Sequence, residues 1–221
     1  MSQTDFHYDS VVEAGSLRKQ LRPFKRTAFR LFKLTFDKSV ALICLPVIAM
    51  VALALLVLNP VYNPGPLFFS QTRMGRHGKP FRMIKFRTML ATSQVTRSHE
   101  DGVEETRITR LGRILRKYRI DELPNMINVL RHEMSVIGPR PDAWDHATAF
   151  AEKVPGYMAR HAVFPGITGL AQVRQGYAEG IDQTVAKARL DRVYIRQQGF
   201  GSELQIIMDT IRVILSGFGA R

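Results

Sequence analysis

Apolar and polar positions change period several times along the chain, and each change marks an element. From Val40 to Leu58 the sequence VALICLPVIAMVALALLVL runs nineteen residues without a charge. As a helix, at about 1.5 Å per residue, it reaches roughly 28 Å. Pro46 removes a backbone donor and crowds the preceding turn, so the helix is predicted to break or kink at Leu45–Pro46. The stretch before it, KRTAFRLFKLTFDKSV, mixes basic and apolar positions as an interfacial helix does. After it, NPVYNPGP (59–66) holds three prolines and a glycine and predicts a non-helical exit.

Beyond this point the periods shorten. LFFSQTRM and PFRMIKFRTM flank GRHGK, which predicts a β-hairpin turning on Gly75 and Gly78. Residues 91–106 are polar and read as a loop. RITRLGRILRKYRI (107–120) places Ile108, Leu111, Ile114 and Leu115 on one helical face. A further helix is expected to open at Asp121, with Pro124 in its first turn and Leu123, Met126, Ile127 and Leu130 as its core stripe. IGPRP (137–141) predicts a rigid loop. HATAFAEKVPGYMARHAV (146–163) is helical around a break at Pro155–Gly156, and FPGITGLAQV (164–173) is loop followed by turn or strand. IDQTVAKARLDRVYIRQQ (181–198) and SELQIIMDTIRVIL (202–215) are helices, the latter with Ser202 as N-cap and Gly217 past its end. No repeat of solenoid period is present.

Charge changes the picture of the apolar run. Lys and Arg number 32 against 19 Asp and Glu, a net +13 over 221 residues, which favours anionic partners: nucleic acid, an acidic membrane surface or phosphorylated substrates. Residues 18–38 carry eight basic residues against Asp37 alone, and residues 59–99 carry seven and no acid. A spanning helix keeps its positive flank on the cytoplasmic side. Here both flanks belong there, which favours a re-entrant segment over a spanning helix or a buried core helix. Residues 1–17 contain no basic residue, the reverse of a secretory leader. The single cysteine, Cys44, lies inside the apolar run, so no intrachain disulfide forms.

Among sites of chemistry, no P-loop, G-x-G-x-x-G or G-x-S-x-G occurs, and RHEMS (131–135) lacks the second histidine of a zinc-protease helix. The distinctive feature is Asp121–Glu122, two acids at a predicted helix start behind Arg113, Arg116, Lys117 and Arg119. Helix capping explains such a pair. So does an anion site in which one carboxylate attacks phosphorus while its neighbour holds a divalent cation. Arg140, between prolines, is either an ordinary turn residue or a pre-set phosphate fork. KFR (85–87) is either a solvated strand face or a phosphate clamp through Lys85 and Arg87. Asp191 either pairs with helix neighbours or positions an arginine.

KFRTM (85–89), LRKYRIDELPNMINVL (115–130), MSVIGPRP (134–141), PGITGLAQV (165–173) and ARLDRVYI (188–195), in this order after an apolar segment, resemble the bacterial sugar transferases. These are the monotopic polyprenyl-phosphate phosphoglycosyl transferases, here of the small single-domain type. The likeness runs from about Lys25 to the C-terminus. It implies an α+β fold, mainly helical with a small β-hairpin or sheet, and a Pro-broken re-entrant helix with amphipathic interfacial helices. The family's membrane break is usually Ser-Pro; here it is Leu45–Pro46. Three regions are expected: a polar N-terminal segment (1–23), a membrane segment (24–60) and a cytoplasmic transferase domain (61–221).

The resemblance also implies an activity. A sugar-1-phosphate would move from a nucleoside diphosphate sugar, usually a UDP-sugar, to polyprenyl phosphate, releasing the nucleoside monophosphate and initiating a polysaccharide or glycoconjugate. By position Asp121 is the nucleophile and Glu122 the Mg²⁺ ligand. Lys85, Arg116 and Arg140 would handle phosphate and Asp191 would be a further functional acid, while Arg87 joins the phosphate-binding candidates from the KFR run itself. The partners implied are the nucleotide sugar, the polyprenyl phosphate and anionic lipids at the inner membrane, with a homo-oligomer allowed and no nucleic acid. The rivals are a glycosyltransferase on the same lipid, releasing UDP, and a membrane-tethered basic binding protein.

Overall fold

The computed structural model describes residues 23–90, 105–176 and 180–216. The polar segment 1–23 and the loop 91–106 therefore fall almost wholly outside the described residues, as does Gly217.

A single helix, α1 (Pro23–Tyr62), contains both Pro46 and Pro60. Phe29, Asp37, Ala41, Ile48, Leu55 and Asn59 are its buried positions, a three-to-four-residue stripe that packs on the rest of the protein along the helix's length. The opposite face is apolar and bare, with Ile43 72%, Met50 65%, Leu53 66% and Val57 77% exposed. Leaving such side chains in water forgoes about 1.5–3 kcal/mol each. Thr27–Tyr62 is long and apolar enough to cross a membrane, and only 17% of its most apolar stretch is buried. A buried core helix of a soluble protein does not look like this, and the exposed face marks a membrane protein.

The expected non-helical exit begins later than NPVYNPGP suggested, because α1 continues through Asn59 and Pro60 to Tyr62. Packing overrides the proline there. Asn63 N–H donates to Asn59 O at 2.9 Å, and the buried Asn63 side chain donates to Arg87 O at 2.8 Å, so the helix end is pinned to the body before the chain leaves at Pro64.

The expected hairpin forms from β1 (Phe68–Met74) and β2 (Pro80–Phe86), antiparallel with Phe69 opposite Lys85. Its turn uses Gly78 at φ +69°, with His77 also left-handed at φ +58°, a conformation asparagine, aspartate and histidine tolerate best among side-chain-bearing residues. α2 (Arg110–Lys117) follows, capped by Thr109, whose hydroxyl accepts from Gly112 N–H. A 3₁₀ turn (Ile120–Glu122) and the short α3 (Asn125–Leu130) come next. The helix expected to open at Asp121 thus begins at Asn125 with Pro124 as N-cap. Arg119, left-handed at φ +55°, sets off a turn whose bonds are Glu122 N–H to Arg119 O and Leu123 N–H to Ile120 O.

β3 (Ser135–Ile137) and β4 (Gly166–Thr168) pair in parallel. Between them lie α4 (Trp144–Lys153), the predicted break, and a 3₁₀ segment (Tyr157–Ala162). α5 (Leu170–Gln175), α6 (Gly180–Gln197) and α7 (Phe200–Ser216) complete the fold. α7 starts ahead of the expected cap. Ser202 lies in its first turn and accepts Gly199 N–H at 2.9 Å from there. Its outward stripe of Phe200, Leu204, Met208, Ile211 and Leu215 is exposed, and the Phe200 ring lies 4.8 Å from that of Phe32 on α1, so the two bare apolar faces meet. The architecture is α+β, mainly helical, with two small two-stranded sheets among the described residues. The apolar helix and the following domain share one core: Ala41 packs with Phe81, Met83, Val129 and Met134, and Ile48 and Leu55 with Phe86 and Leu115.

Candidate active site

β2, the 3₁₀ turn and the loop after β3 bring three charged groups together. Lys85 Nζ donates to Glu122 Oε1 at 2.7 Å. Arg140 forks onto the same carboxylate, one amino group on Oε2 at 3.1 Å and the other on Oε1. The Glu122 side chain is 11% exposed, Lys85 18% and Arg140 26%. Burial alone would raise the Glu122 pKa, but Arg140 and Lys85 outweigh it and hold the carboxyl well below its ordinary value. Burial pushes the Lys85 ammonium down, against the pull of Glu122. Glu122 is therefore held by side-chain cations, as a capping acid is not.

Its neighbour is in a different electrostatic state. Asp121 is 7% exposed. Burial raises its pKa; Lys85, Arg116 and Arg140 act the other way and Glu122 adds to the rise. The carboxylate is thus more basic than an exposed aspartate, with three cations in reach to stabilise its charge. Arg116 comes from the last turn of α2, where its guanidinium lies 3.6 Å from Met89 Sδ.

The other two candidates lie apart from this cluster. Arg87 is buried and donates to the carbonyls of Pro64 and Asn63, tying β2 to the end of α1. Asp191 is buried on α6 and accepts from Arg160 Nε at 2.8 Å.

Oxygen donors suited to a hard cation are present. No group of three His, Cys, Asp or Glu converges among the described residues, but Mg²⁺ commonly takes one or two carboxylates and completes its shell with water and phosphate. Three hydrogen bonds leave Glu122 one lone pair. Asn125, the first residue of α3 and four positions after Asp121, is fully buried with no partner on its carboxamide oxygen or nitrogen. The residues fit such an ion.

Sequence reasoning did not find Asp142, Tyr157, Arg160 and Lys187, which surround the Arg140 loop, or Asn128. The Asn128 carboxamide accepts Ile84 N–H at 3.1 Å and donates to Arg82 O at 2.8 Å, closing the outer edge of β2. Each is a lone residue without a spacing signal.

A paired-acid cluster ringed by cations thus sits on a body that shares its core with a helix whose outer face is apolar and bare. Residues 28–217 match the family described as bacterial sugar transferase, and the chain belongs to that family. It is 42% identical over 195 residues to the UDP-N-acetylgalactosamine-undecaprenyl-phosphate N-acetylgalactosaminephosphotransferase of Aeromonas hydrophila, covering 87% of this chain and 46% of that protein. It is 36% identical to the UDP-glucose:undecaprenyl-phosphate glucose-1-phosphate transferase of Caulobacter vibrioides, covering 88% and 73%. To the protein of the same description in Escherichia coli strain K12 it is 36% identical, covering 78% and 37%. The chain thus spans less than half of the Aeromonas and Escherichia relatives.

Proposed function

We propose that the protein transfers a sugar-1-phosphate from a UDP-sugar to a polyprenyl phosphate through a covalent intermediate on Asp121, initiating a surface glycan. The observation that carries this reading is the convergence of Lys85 and Arg140 on Glu122 beside the buried Asp121. Asp121 Oδ attacks the β-phosphorus. The bond from that phosphorus to the bridging oxygen breaks, and the nucleoside monophosphate leaves with that oxygen. An oxygen of the lipid phosphate then attacks the same phosphorus, restores the Asp121 carboxylate and forms the polyprenyl-diphosphate sugar. Lys85, Arg116 and Arg140 stabilise the equatorial charge in both steps. Glu122, with Asn125, would hold Mg²⁺, which when bound neutralises diphosphate charge.

Both ends of α1 stay on the cytoplasmic side of the inner membrane, with the helix dipping in and bending at Leu45–Pro46 without a break in its helical run. Two anchors support this reading. Near one end Lys33 Nζ bonds Glu203 and Ile137 O at 2.8 and 3.0 Å. At the other, Asn63 bonds Arg87 O. A helix crossing about 30 Å of hydrocarbon would carry one of these polar anchors away from the body. The stripe of α7 would lie in the interface beside α1.

The experiment is incubation with UDP-sugars and undecaprenyl phosphate. Release of UMP is expected; UDP would indicate a glycosyltransferase, and no nucleotide a binding protein. With donor alone, the mass of a hexose or N-acetylhexosamine phosphate should appear on Asp121 and be absent from Asp121→Asn. An unlabelled wild-type Asp121 in protein that turns over refutes the covalent route.

A further inference from the structure

Arg140 reaches Glu122 from a loop whose four consecutive carbonyls are each bonded. Gly166 N–H takes Pro139 O at 2.9 Å. Arg160 takes Arg140 O at 2.8 Å, and Arg73 takes Pro141 O at 3.0 Å. Met74 N–H takes Asp142 O at 3.2 Å. Prolines on both sides of Arg140 remove donors and fix φ. Behind the loop lies a charge-balanced cluster of two cations and two acids. The Arg160 side chain, 1% exposed, joins Asp191 at 2.8 Å and also pairs with Asp142. Asp142 accepts from Lys187 Nζ at 2.6 Å and from Tyr157 OH at 2.6 Å. Lys187 and Asp191 sit one turn apart on α6, so a single helix supplies one charge of each sign.

A buried ion cluster is a poor source of stability compared with apolar packing, because desolvation offsets the attraction. What it supplies is geometry, and every bond here ends on residues 140–142 or on Arg160, which holds them. We infer that Arg160 and Asp142, supported by Tyr157, Lys187 and Asp191, are positioning residues that fix the Pro139–Arg140–Pro141 turn so that the Arg140 guanidinium meets Glu122. Asp191 then acts at two removes, through Arg160 and the turn, and touches no substrate.

The test separates positioning from mere support of the fold. Tyr157→Phe removes one hydroxyl, which donates to Asp142 and accepts from Arg160, with little change of volume. Without any substrate, phenylglyoxal modification of Arg140, followed by peptide mass spectrometry in the full chain, should accelerate about two- to tenfold, the equivalent of one net hydrogen bond. An unchanged rate overturns the inference, and Lys187→Gln gives the same readout if Tyr157→Phe does not fold. The inference draws on the proposed transferase only for its second arm, a double-mutant cycle with Arg140→Ala. Tyr157→Phe should lower kcat/KM severalfold in the wild-type background and leave it unchanged in the Arg140→Ala background. Equal losses in both backgrounds overturn the inference. A wild-type protein without turnover refutes the transferase alone, since the modification rate still decides the positioning role.

Discussion

Glu122→Gln removes one negative charge and leaves the shape nearly intact. Lys85 and Arg140 converge on that carboxylate with side chains 18% and 26% exposed. Removing one partner of a buried pair costs about 3–5 kcal/mol because the charge left behind is uncompensated. The glutamine oxygen still accepts one hydrogen bond, and both cations retain some water, so the lower end applies, about 3 kcal/mol. For a chain of this size that lowers Tm by roughly 6–12 °C. The pH dependence has a definite sign. Glu122 has a depressed pKa in the folded state, so its contribution is present above its ordinary 4.5 and lost as pH falls toward the depressed value. At the alkaline end Lys85, already below its ordinary 10.5, drops further once its counter-charge is gone. The variant sheds that proton at lower pH than wild type, and the deficit narrows as it does. The difference in Tm is therefore fullest near neutral pH and smaller at both extremes. Fluorescence of the single tryptophan, Trp144, during thermal unfolding in detergent measures it. Unaltered Tm across that range, with activity lost, would refute the cation clamp while leaving a catalytic role for Glu122.

Three further outcomes follow from the same geometry. Arg116→Ala removes a cation that favours ionised Asp121. The Asp121 pKa rises further, and the acid limb of donor-only labelling moves to higher pH; no movement, or movement downward, contradicts the placement of Arg116. Gly112→Ala should destabilise although alanine favours helix by about 1 kcal/mol. Its Cβ would lie 2.0 Å from Thr88 O, and relieving a backbone clash costs about 1–3 kcal/mol; a higher Tm would refute this close approach. Arg87→Met strips the carbonyls of buried Asn63 and exposed Pro64 of their donor, and the buried one alone costs about 1–3 kcal/mol. Tm should fall while the donor KM stays constant, whereas a raised KM with unchanged Tm would return Arg87 to the phosphate-binding set.

Local signals in the sequence determined a good deal. The uncharged run to Leu58, the Gly-containing hairpin turn and the periodic helices 181–198 and 202–215 follow from period and turn chemistry, which act over a few residues. The Asp121–Glu122 pair and Arg140 stood out because acids among cations and an arginine between prolines are locally unusual. Where sequence misplaced a boundary, a distant contact overrode a local preference. Asn59 and Asn63 carried α1 through Pro60, and left-handed Arg119 with capping Pro124 gave the acids a 3₁₀ turn in place of a helix start. The tertiary structure alone decided which charges meet. Lys85 and Glu122 are 37 positions apart and Arg160 and Asp191 are 31 apart, beyond the reach of any periodicity. That Arg87 turns to carbonyls while Lys85, two residues earlier on the same strand, turns to Glu122 depends on what packs against β2. A buried charge takes the partner that the fold brings to it, and no pattern along the chain records that choice.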